Sequence, residues 1–207
     1  MKFIHFGCWN EGRCDLENGN NGVSTVINSL LNTYDHEIKF YIIAGDNYYP
    51  NKNEKGEKIF DRTDFESGFN CIKQLTLNGT PVYLLMGNHD VVHKKDILEE
   101  GNLLEMCDIL KYQLSYRNNL NINSIHKHLK EYHTLILFLN TNLYDEDIRE
   151  DTTLPCQRLY RDGYPEVVLK NLESIINYEE NIFLQLVSNY LKNDNTFKNI
   201  ILVGHHP

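Results

Sequence analysis

The chain has 207 residues, a formal net charge of −9 and hydrophobic residues at 41% of its positions. This length and composition predict a single globular domain over residues 1–207 with a sizeable core. The acidic balance argues against bulk binding to nucleic acid or to an anionic membrane, although a bound metal can attract a small anion locally. Since no segment has the apolar length of a signal peptide or a membrane span, we expect a cytoplasmic protein.

The cysteines support the same expectation. They are scattered and odd in number: Cys8, Cys14, Cys71, Cys107 and Cys156. Without a CxxC pair, this pattern indicates neither a disulfide framework nor a zinc ribbon. A reducing, intracellular compartment is therefore expected.

In the first half of the chain, short apolar runs alternate with segments of helical spacing. The predicted elements are a strand over residues 2–7, a loop over 10–22, a helix over 23–31, a strand over 39–44, a polar loop over 51–58, a helix over 60–77 and a strand from Pro81. The order strand–helix–strand occurs twice, and each such unit places its two strands in parallel through a right-handed crossover. An α/β fold is therefore predicted.

The second half is predicted in less detail. The elements are a mostly helical segment over 96–120, a segment over 125–132 ahead of a strand over 133–140, an irregular acidic segment over 142–163, one or two helices over 165–193 and a strand over 199–203. This last strand is expected to have an unpaired edge.

Three of the apolar strands end in a glycine that is followed by metal-binding side chains. In chain order these motifs are Gly45-Asp46-Asn47-Tyr48-Tyr49, Gly87-Asn88-His89-Asp90 and Gly204-His205-His206-Pro207. Ligands in open α/β sheets bind at the carboxyl ends of the strands, so the three motifs predict one site.

Together the motifs resemble the calcineurin-like metallophosphoesterase superfamily, and the tyrosine three residues after the aspartate resembles its purple (tartrate-resistant) acid phosphatase branch. The resemblance runs from residue 2 to residue 207. It implies an α/β/β/α sandwich, two sheets flanked by helices, that hydrolyses phosphoric esters with two divalent or trivalent metal ions, Fe, Zn or Mn. Two metals about 3.5–4 Å apart stabilise the attacking and leaving oxygens of an in-line displacement.

The resemblance also implies a ligand for each metal. Asp46 would bridge the two ions, Tyr49 would bind the first, and Asn88 and His205 would bind the second. A carboxylate suits the bridging position because it is anionic and has two oxygens. Neutral amide and imidazole ligands keep the second metal Lewis-acidic.

Two further residues have implied catalytic roles. His89 would protonate the leaving alkoxide or contact the phosphoryl oxygens, and the ordinary pKa of histidine suits such acid chemistry. Asp90 would orient the His89 imidazole. His206 is interpreted as a neighbour of the site and not as a ligand.

The chain departs from the family pattern at two places. Cys8 stands where the family has an aspartate on the first metal; it is a weak ligand candidate, and the alternative is a small buried apolar residue. The family's later Gly-His-x-His motif is missing, because the sequence ends at Pro207. The sandwich is therefore expected to be incomplete on its C-terminal side, with two metals in the ancestral site and one or none here, since a catalytic metal typically has three protein ligands.

Three functional hypotheses follow. The leading one is a metal-dependent phosphomonoesterase that acts on a phosphate-ester substrate. The second is a catalytically impaired or inactive remnant, or a binding protein, of the same fold. The third is that a partner chain, or a separately encoded piece, completes the sheet and the ligand set.

Overall fold

The structure is a computed structural model that describes residues 1–10, 13–19, 21–32, 37–91, 97–105, 107–144, 154–161, 164–193 and 198–205. Its strands are β1 (Lys2–Phe6), β2 (Ile38–Ala44), β3 (Asn51–Lys52), β4 (Lys58–Ile59), β5 (Val82–Leu85), β6 (Ile97–Glu99), β7 (Asn102–Leu103), β8 (Asn121–Ile122), β9 (His126–Leu129), β10 (Thr134–Phe138) and β11 (Asn199–Val203). Its α-helices are α1 (Gly22–Asn32), α2 (Arg62–Gln74), α3 (Asn88–Val91), α4 (Asp108–Leu114), α5 (Leu154–Tyr160) and α6 (Leu172–Asn193).

The first sheet has the strand order β1-β2-β5-β8, and every pair in it is parallel. Parallel neighbours need crossover connections, which α1 supplies between β1 and β2 and α2 supplies before β5. The predicted strand over 2–7, helix over 23–31 and strand over 39–44 are confirmed to within one residue at each end. The predicted helix over 60–77 is confirmed in type and is shorter at both ends.

The second sheet has the order β11-β10-β9, with β10 parallel to β11 and antiparallel to β9. Side chains alternate across β2, so Phe40 and Ile42 pack toward this second sheet while Tyr41 and Ile43 pack toward the helices. Within the described part of the chain, β11 lies at the end of its sheet and pairs on one side only, as predicted.

The helices occupy the two outer layers. Residues of α1, α2, α4 and α5 pack with the helix-facing side of the first sheet. On the other outer layer, the ring of Tyr190 in α6 contacts His128 of β9 at a centroid distance of 4.6 Å. This α/β/β/α arrangement confirms the predicted α/β fold class.

A third, small sheet of order β3-β4-β6-β7 corrects two predictions. The polar segment 51–58, expected as a loop, contains one strand of a β3–β4 hairpin and the start of the next, and the first part of the segment 96–120, expected as mostly helical, is the β6–β7 hairpin. Strands of two or three residues are too short to show an alternating pattern. Their position depends on the parallel contact between β4 and β6, which is remote in sequence.

Two helices differ from the predictions in detail. The segment 142–163, expected to be irregular, contains α5 as well as a 3-10 turn over Thr141–Tyr144, and the rest of it lies mostly outside the described residues. The segment 165–193 contains one long α-helix, α6. Among the described residues, no helix combines the length and the apolar character that a membrane span requires.

The expectation that the cysteines form no disulfides is wrong. Cys14 is bonded to Cys71 and Cys107 to Cys156, with Cα–Cα distances of 6.5 and 5.3 Å. The partners are 57 and 49 residues apart, so short-range spacing gave no signal. The first bond ties the loop after β1 to α2, and the second ties the start of α4 to α5. Cys8 is left as the free cysteine, and it is exposed, so its interpretation as a small buried residue is also wrong.

Candidate functional site

The predicted site residues meet at the carboxyl ends of four strands. Cys8 follows β1, Asp46 follows β2, Asn88 follows β5 and His205 follows β11. Because β1, β2 and β5 belong to the first sheet and β11 to the second, the site lies where the two sheets of the sandwich come together. The sequence motifs are therefore confirmed as neighbours in space.

Asp46 is the centre of this cluster, and its two carboxylate oxygens have different partners. Oδ1 lies 3.2 Å from the Nε2 atom of His205 and accepts a hydrogen bond of 3.2 Å from the backbone N–H of His89. Oδ2 accepts a hydrogen bond of 2.6 Å from the Tyr49 hydroxyl, and the Cys8 thiol lies 3.8 Å from it. His205, predicted for the second metal, thus faces Oδ1, whereas Tyr49 and Cys8, predicted for the first, face Oδ2.

Two glycines make this close approach feasible. A Cβ atom on Gly87 would lie 2.2 Å from Asp46 Oδ1, and one on Gly45 would lie 2.5 Å from His205 Nδ1. Gly45 also has a φ of 87°, which glycine adopts without strain. Asp46 itself has a φ of 53°, an uncommon conformation for a residue with a side chain, and such backbone strain clusters at functional sites. The glycines before Asp46 and Asn88 are therefore required by the packing of the site.

The electrostatics of the cluster favour a permanently ionised Asp46. Burial alone raises the pKa of Asp46, but hydrogen bonds from His205 and Tyr49 outweigh burial and lower that pKa to about 2. The pKa of Tyr49 is raised far above its usual value, first by burial and then by the hydrogen bond to Asp46. At neutral pH the structure therefore contains an aspartate anion that accepts from a neutral phenol.

The orientation of His205 suits a metal ligand. Its Nδ1 atom lies 2.7 Å from the carbonyl oxygen of Ala44, and its backbone N–H donates to Thr141 Oγ1 over 3.0 Å. Because Nδ1–H donates to the carbonyl, a proton on Nε2 would donate to Asp46, and loss of that proton would leave the Nε2 lone pair for a metal ion. Burial lowers the pKa of His205, but its bonds to Asp46 and to the Ala44 carbonyl raise that pKa overall.

Asp90 has different partners from those expected. Its carboxylate accepts hydrogen bonds from the backbone N–H groups of Asn47 and Gly87 and from the side chains of Asn47 and Gln113, over 2.7 to 3.1 Å. These donors occupy the acceptor positions of the two oxygens. Burial raises the pKa of Asp90 to about 6. In place of the predicted contact with the His89 imidazole, these bonds give Asp90 the role of fastening the first motif to the second.

His89 lies in α3, directly after Asn88. Its ring packs against the ring of Tyr49 with a centroid distance of 4.9 Å, which places the imidazole on the Tyr49 side of Asp46. Asn88 is half-buried at the first position of the same helix. His206 lies outside the described residues.

Sequence reasoning missed the asparagines that hold the second motif. Asn123 Oδ1 accepts a hydrogen bond of 3.1 Å from the N–H of Met86, while Asn142 Nδ2 donates over 2.7 Å to the carbonyl oxygen of Met86. Buried side chains therefore fix both the N–H and the carbonyl group of Met86, the residue before Gly87. Nothing in the local sequence of Asn123 indicates this contact, because its partner is 37 residues away.

A buried ion pair contacts the backbone at Asn123. Arg161 and Glu179 are bonded to each other and almost fully buried. The Arg161 guanidinium also donates to the carbonyl oxygens of Asn123, Ser124 and Phe138 over 2.8, 2.7 and 2.5 Å. It therefore connects α5 and α6 to β10 and to the residues that follow β8.

The side chains of the site fit a metal ion only if the phenol oxygen of Tyr49 and the amide oxygen of Asn88 are counted as ligands. Among the described residues, no group of three or more histidine, cysteine, aspartate or glutamate side chains is placed to hold a metal by itself. Asp46, His205 and Cys8 still converge, and Tyr49 adds an oxygen within 2.6 Å of the same carboxylate. The Nε2 atom of His205, which faces the carboxylate, and the ionised Asp46 are the two features that suit a cation best.

A two-sheet sandwich with such a site at its strand ends is typical of metal-dependent phosphoester hydrolases. The chain belongs to the calcineurin-like phosphoesterase family, whose family model matches residues 1–207. Members of this family are in general metal-dependent phosphoester hydrolases. Comparisons with curated proteins and with solved structures gave no significant match.

Proposed function

We propose that this protein is a metal-dependent phosphomonoesterase similar to the purple acid phosphatases, formed by a single domain. The observation that supports this proposal most strongly is the environment of Asp46. Each of its oxygens faces a different set of ligand-type side chains, with His205 at Oδ1 and Tyr49 and Cys8 at Oδ2. A carboxylate placed in this way is suited to bridge two cations.

The proposal assigns the ligands as follows. Asp46, Asn88 and His205 would hold one metal ion, and Asp46 and Tyr49, with Cys8 as a weak third ligand, would hold the other, the ions being Fe, Zn or Mn. Such ions neutralise the phosphoryl charge and act as Lewis acids on the ester. Burial at the strand ends keeps Asp46 shielded from water, which strengthens its attraction for a cation.

His89 is the proposed general acid. Its backbone is fixed by the hydrogen bond to Asp46 Oδ1, and its ring is supported by Tyr49. The ring can therefore remain beside the ester oxygen while it donates a proton to the leaving group. Proton transfer by a positioned histidine typically contributes about 10²–10⁴-fold to the rate.

Metal analysis combined with phosphate release tests this function. We expect the purified protein to bind Fe, Zn or Mn and to release inorganic phosphate from phosphomonoesters. His89→Ala should then lower kcat by roughly 10²–10⁴-fold. His5→Ala, in the exposed β1, is the matched control and should keep the wild-type rate. A metal-loaded protein without turnover would refute the proposal.

The position of Cys8 favours an alternative to a hydrolase that works alone, and this alternative has two versions. A thiol is a soft ligand and stands on the Oδ2 side of Asp46, where the family pattern has a hard carboxylate. On this alternative, the protein binds a phosphorylated ligand without hydrolysing it, or a partner chain completes the ligand set. Metal binding and phosphate-ester binding without turnover would support the first version, and turnover that appears only with a second chain would support the other.

The compartment is proposed anew. The cytoplasmic expectation was made from the lack of a signal peptide or membrane span and was supported by cysteines expected to form no bridges, whereas the structure pairs four of the five. Disulfides persist mainly in oxidising compartments. We therefore propose that the protein functions in such a compartment.

A further inference from the structure

A cavity of about 340 Å³ lies between the end of β1 and the beginning of α1. Its lining residues are Phe6, Gly7, Cys8, Trp9, Gly22, Val23, Val26 and Ile27. None of these described residues carries a charge, and five of them have apolar side chains. The sequence motifs gave no indication of this space, because its walls come from a strand end and a helix that are distant from the three motifs in sequence.

Cys8 belongs both to this cavity and to the candidate site. Its thiol lies 3.8 Å from Asp46 Oδ2, and its backbone N–H donates to the carbonyl oxygen of Gly45 over 3.1 Å. The wall of the cavity therefore continues directly into the edge of the site. A molecule whose phosphoryl group lies at Asp46 can place its remaining part beyond Cys8.

Trp9 is a rigid part of this wall. Its Nε1–H donates over 3.0 Å to the side-chain oxygen of Asn47, which is fully buried, and its ring contacts that of Phe69 at a centroid distance of 6.0 Å. An aromatic surface fixed in this way needs no rearrangement to receive a ligand, and preformed apolar pockets bind apolar groups best. At the opposite wall, Val26 is 46% exposed.

We propose that this cavity binds the organic group of the phosphoester, and that this group is apolar, uncharged and about as large as a six-membered carbon ring. The proposal rests on the proposed phosphoesterase function. An engineered apolar cavity of about 150 Å³ binds benzene, so the volume here is sufficient for a ring of that size. A polyhydroxylated group would lose its hydrogen bonds to water, and the side chains that line the cavity offer it few partners in return.

A binding experiment tests the cavity without depending on activity. Trp9 is the only tryptophan of the chain, so the emission of the protein excited at long wavelength reports on this wall. Cyclohexanol should shift or quench this emission saturably, whereas glycerol should not. Val26→Gln, which adds a polar amide at the wall, should weaken the response to cyclohexanol. Absence of a saturable response to cyclohexanol in the wild-type protein would overturn the proposal.

A kinetic experiment tests the same cavity as a substrate site. The wild-type protein should hydrolyse cyclohexyl phosphate with a kcat/KM roughly tenfold or more above that for glycerol 3-phosphate. Val26→Gln should reduce this ratio several-fold. Thr25→Gln is the matched control, since Thr25 is an exposed β-branched residue of α1 that does not line the cavity, and it should leave the ratio unchanged.

The two experiments separate the two proposals. Equal hydrolysis of both esters, with no effect of Val26→Gln, would overturn the inference about the organic group and leave the phosphoesterase function standing. A saturable response of Trp9 to cyclohexanol without hydrolysis of either ester would overturn the proposed function and support the apolar specificity of the cavity.

Discussion

The backbone N–H of Asn47 donates to the carboxylate of Asp90, with N···O distances of 3.0 and 3.1 Å to its two oxygens. This contact joins the motif after β2 to the motif after β5, which are separated by 43 residues. The same carboxylate also receives the N–H of Gly87. The two ligand-bearing loops are therefore held at a fixed separation by one buried side chain.

Replacement of Asp90 should destabilise the protein strongly. Asp90→Ala leaves the buried donors of Asn47, Gly87 and Gln113 without an acceptor, and we expect a loss of about 3 kcal/mol in the free energy of unfolding. Asp90→Asn retains one acceptor oxygen and should cost less. Urea denaturation measures both changes. The control is Asp108→Asn, which removes the charge of an ion pair with Lys111 and keeps an acceptor oxygen for the backbone N–H of Glu105; a loss as small as that of the control would contradict this role.

Asn123 should position the second motif through Met86. Asn123→Ala removes the acceptor of the Met86 N–H and places an alanine at a φ of 50°, whereas Asn123→Gly removes the same acceptor without that backbone strain. The alanine variant should therefore be less stable than the glycine variant by about 1 kcal/mol. Both variants should lower kcat to a similar extent, because both leave the Met86 N–H without its acceptor.

Thermal unfolding and phosphate-release kinetics distinguish the two effects at Asn123. A glycine variant that kept most of the wild-type kcat would refute the positioning role. Asn123 would then contribute to stability alone.

The pair Arg161–Glu179 should be sensitive to the removal of one partner. Arg161→Met leaves the Glu179 carboxylate buried and uncompensated, and such changes typically cost about 3–5 kcal/mol. The double variant Arg161→Met/Glu179→Leu should recover part of this loss in urea denaturation, since neither charge is then buried. Arg62→Met, which disrupts an exposed pair with Glu99, should cost no more than about 1 kcal/mol. A double variant as unstable as the single one would show that the bonds of Arg161 to the backbone dominate.

The disulfides can be counted directly. Unfolded, unreduced protein should react with one equivalent of a thiol reagent per chain, and reduced protein with five, because only Cys8 is free. In the chain-entropy description, closing loops of 57 and 49 residues stabilises the fold by about 4 kcal/mol per bond, so reduction should lower Tm markedly. Five reactive thiols before reduction would contradict both pairings.

The sequence predicted well those features that depend on local pattern. Apolar runs that end in Gly-Asp, Gly-Asn-His-Asp and Gly-His placed Asp46, Asn88 and His205 at neighbouring strand ends, and the structure confirms that placement. Parallel strands ending at a common edge have this consequence whatever lies between them.

Features that depend on distant contacts were missed. Asn123 and Arg161 act through partners more than a dozen residues away, and asparagine or arginine in an irregular segment has no pattern that reveals a buried role. The role expected for Asp90 was replaced for the same reason, since Gln113 and the Asn47 backbone reach it only in the folded chain. The cysteine pairs were missed because the odd number of cysteines and their spacing carry little information about partners that are remote along the chain.

Asp46 is the residue proposed to bind cations through both of its carboxylate oxygens. Calorimetric titration of the metal-free protein with Mn²⁺ or Zn²⁺ measures this without reference to turnover. We predict that the wild-type protein binds the metal, and that Asp46→Asn, which keeps the size of the side chain and removes its charge, weakens binding by at least about 100-fold, while Asp108→Asn binds as the wild type does. Equal affinity of the wild type and Asp46→Asn, or no binding by the wild-type protein, would contradict the central claim.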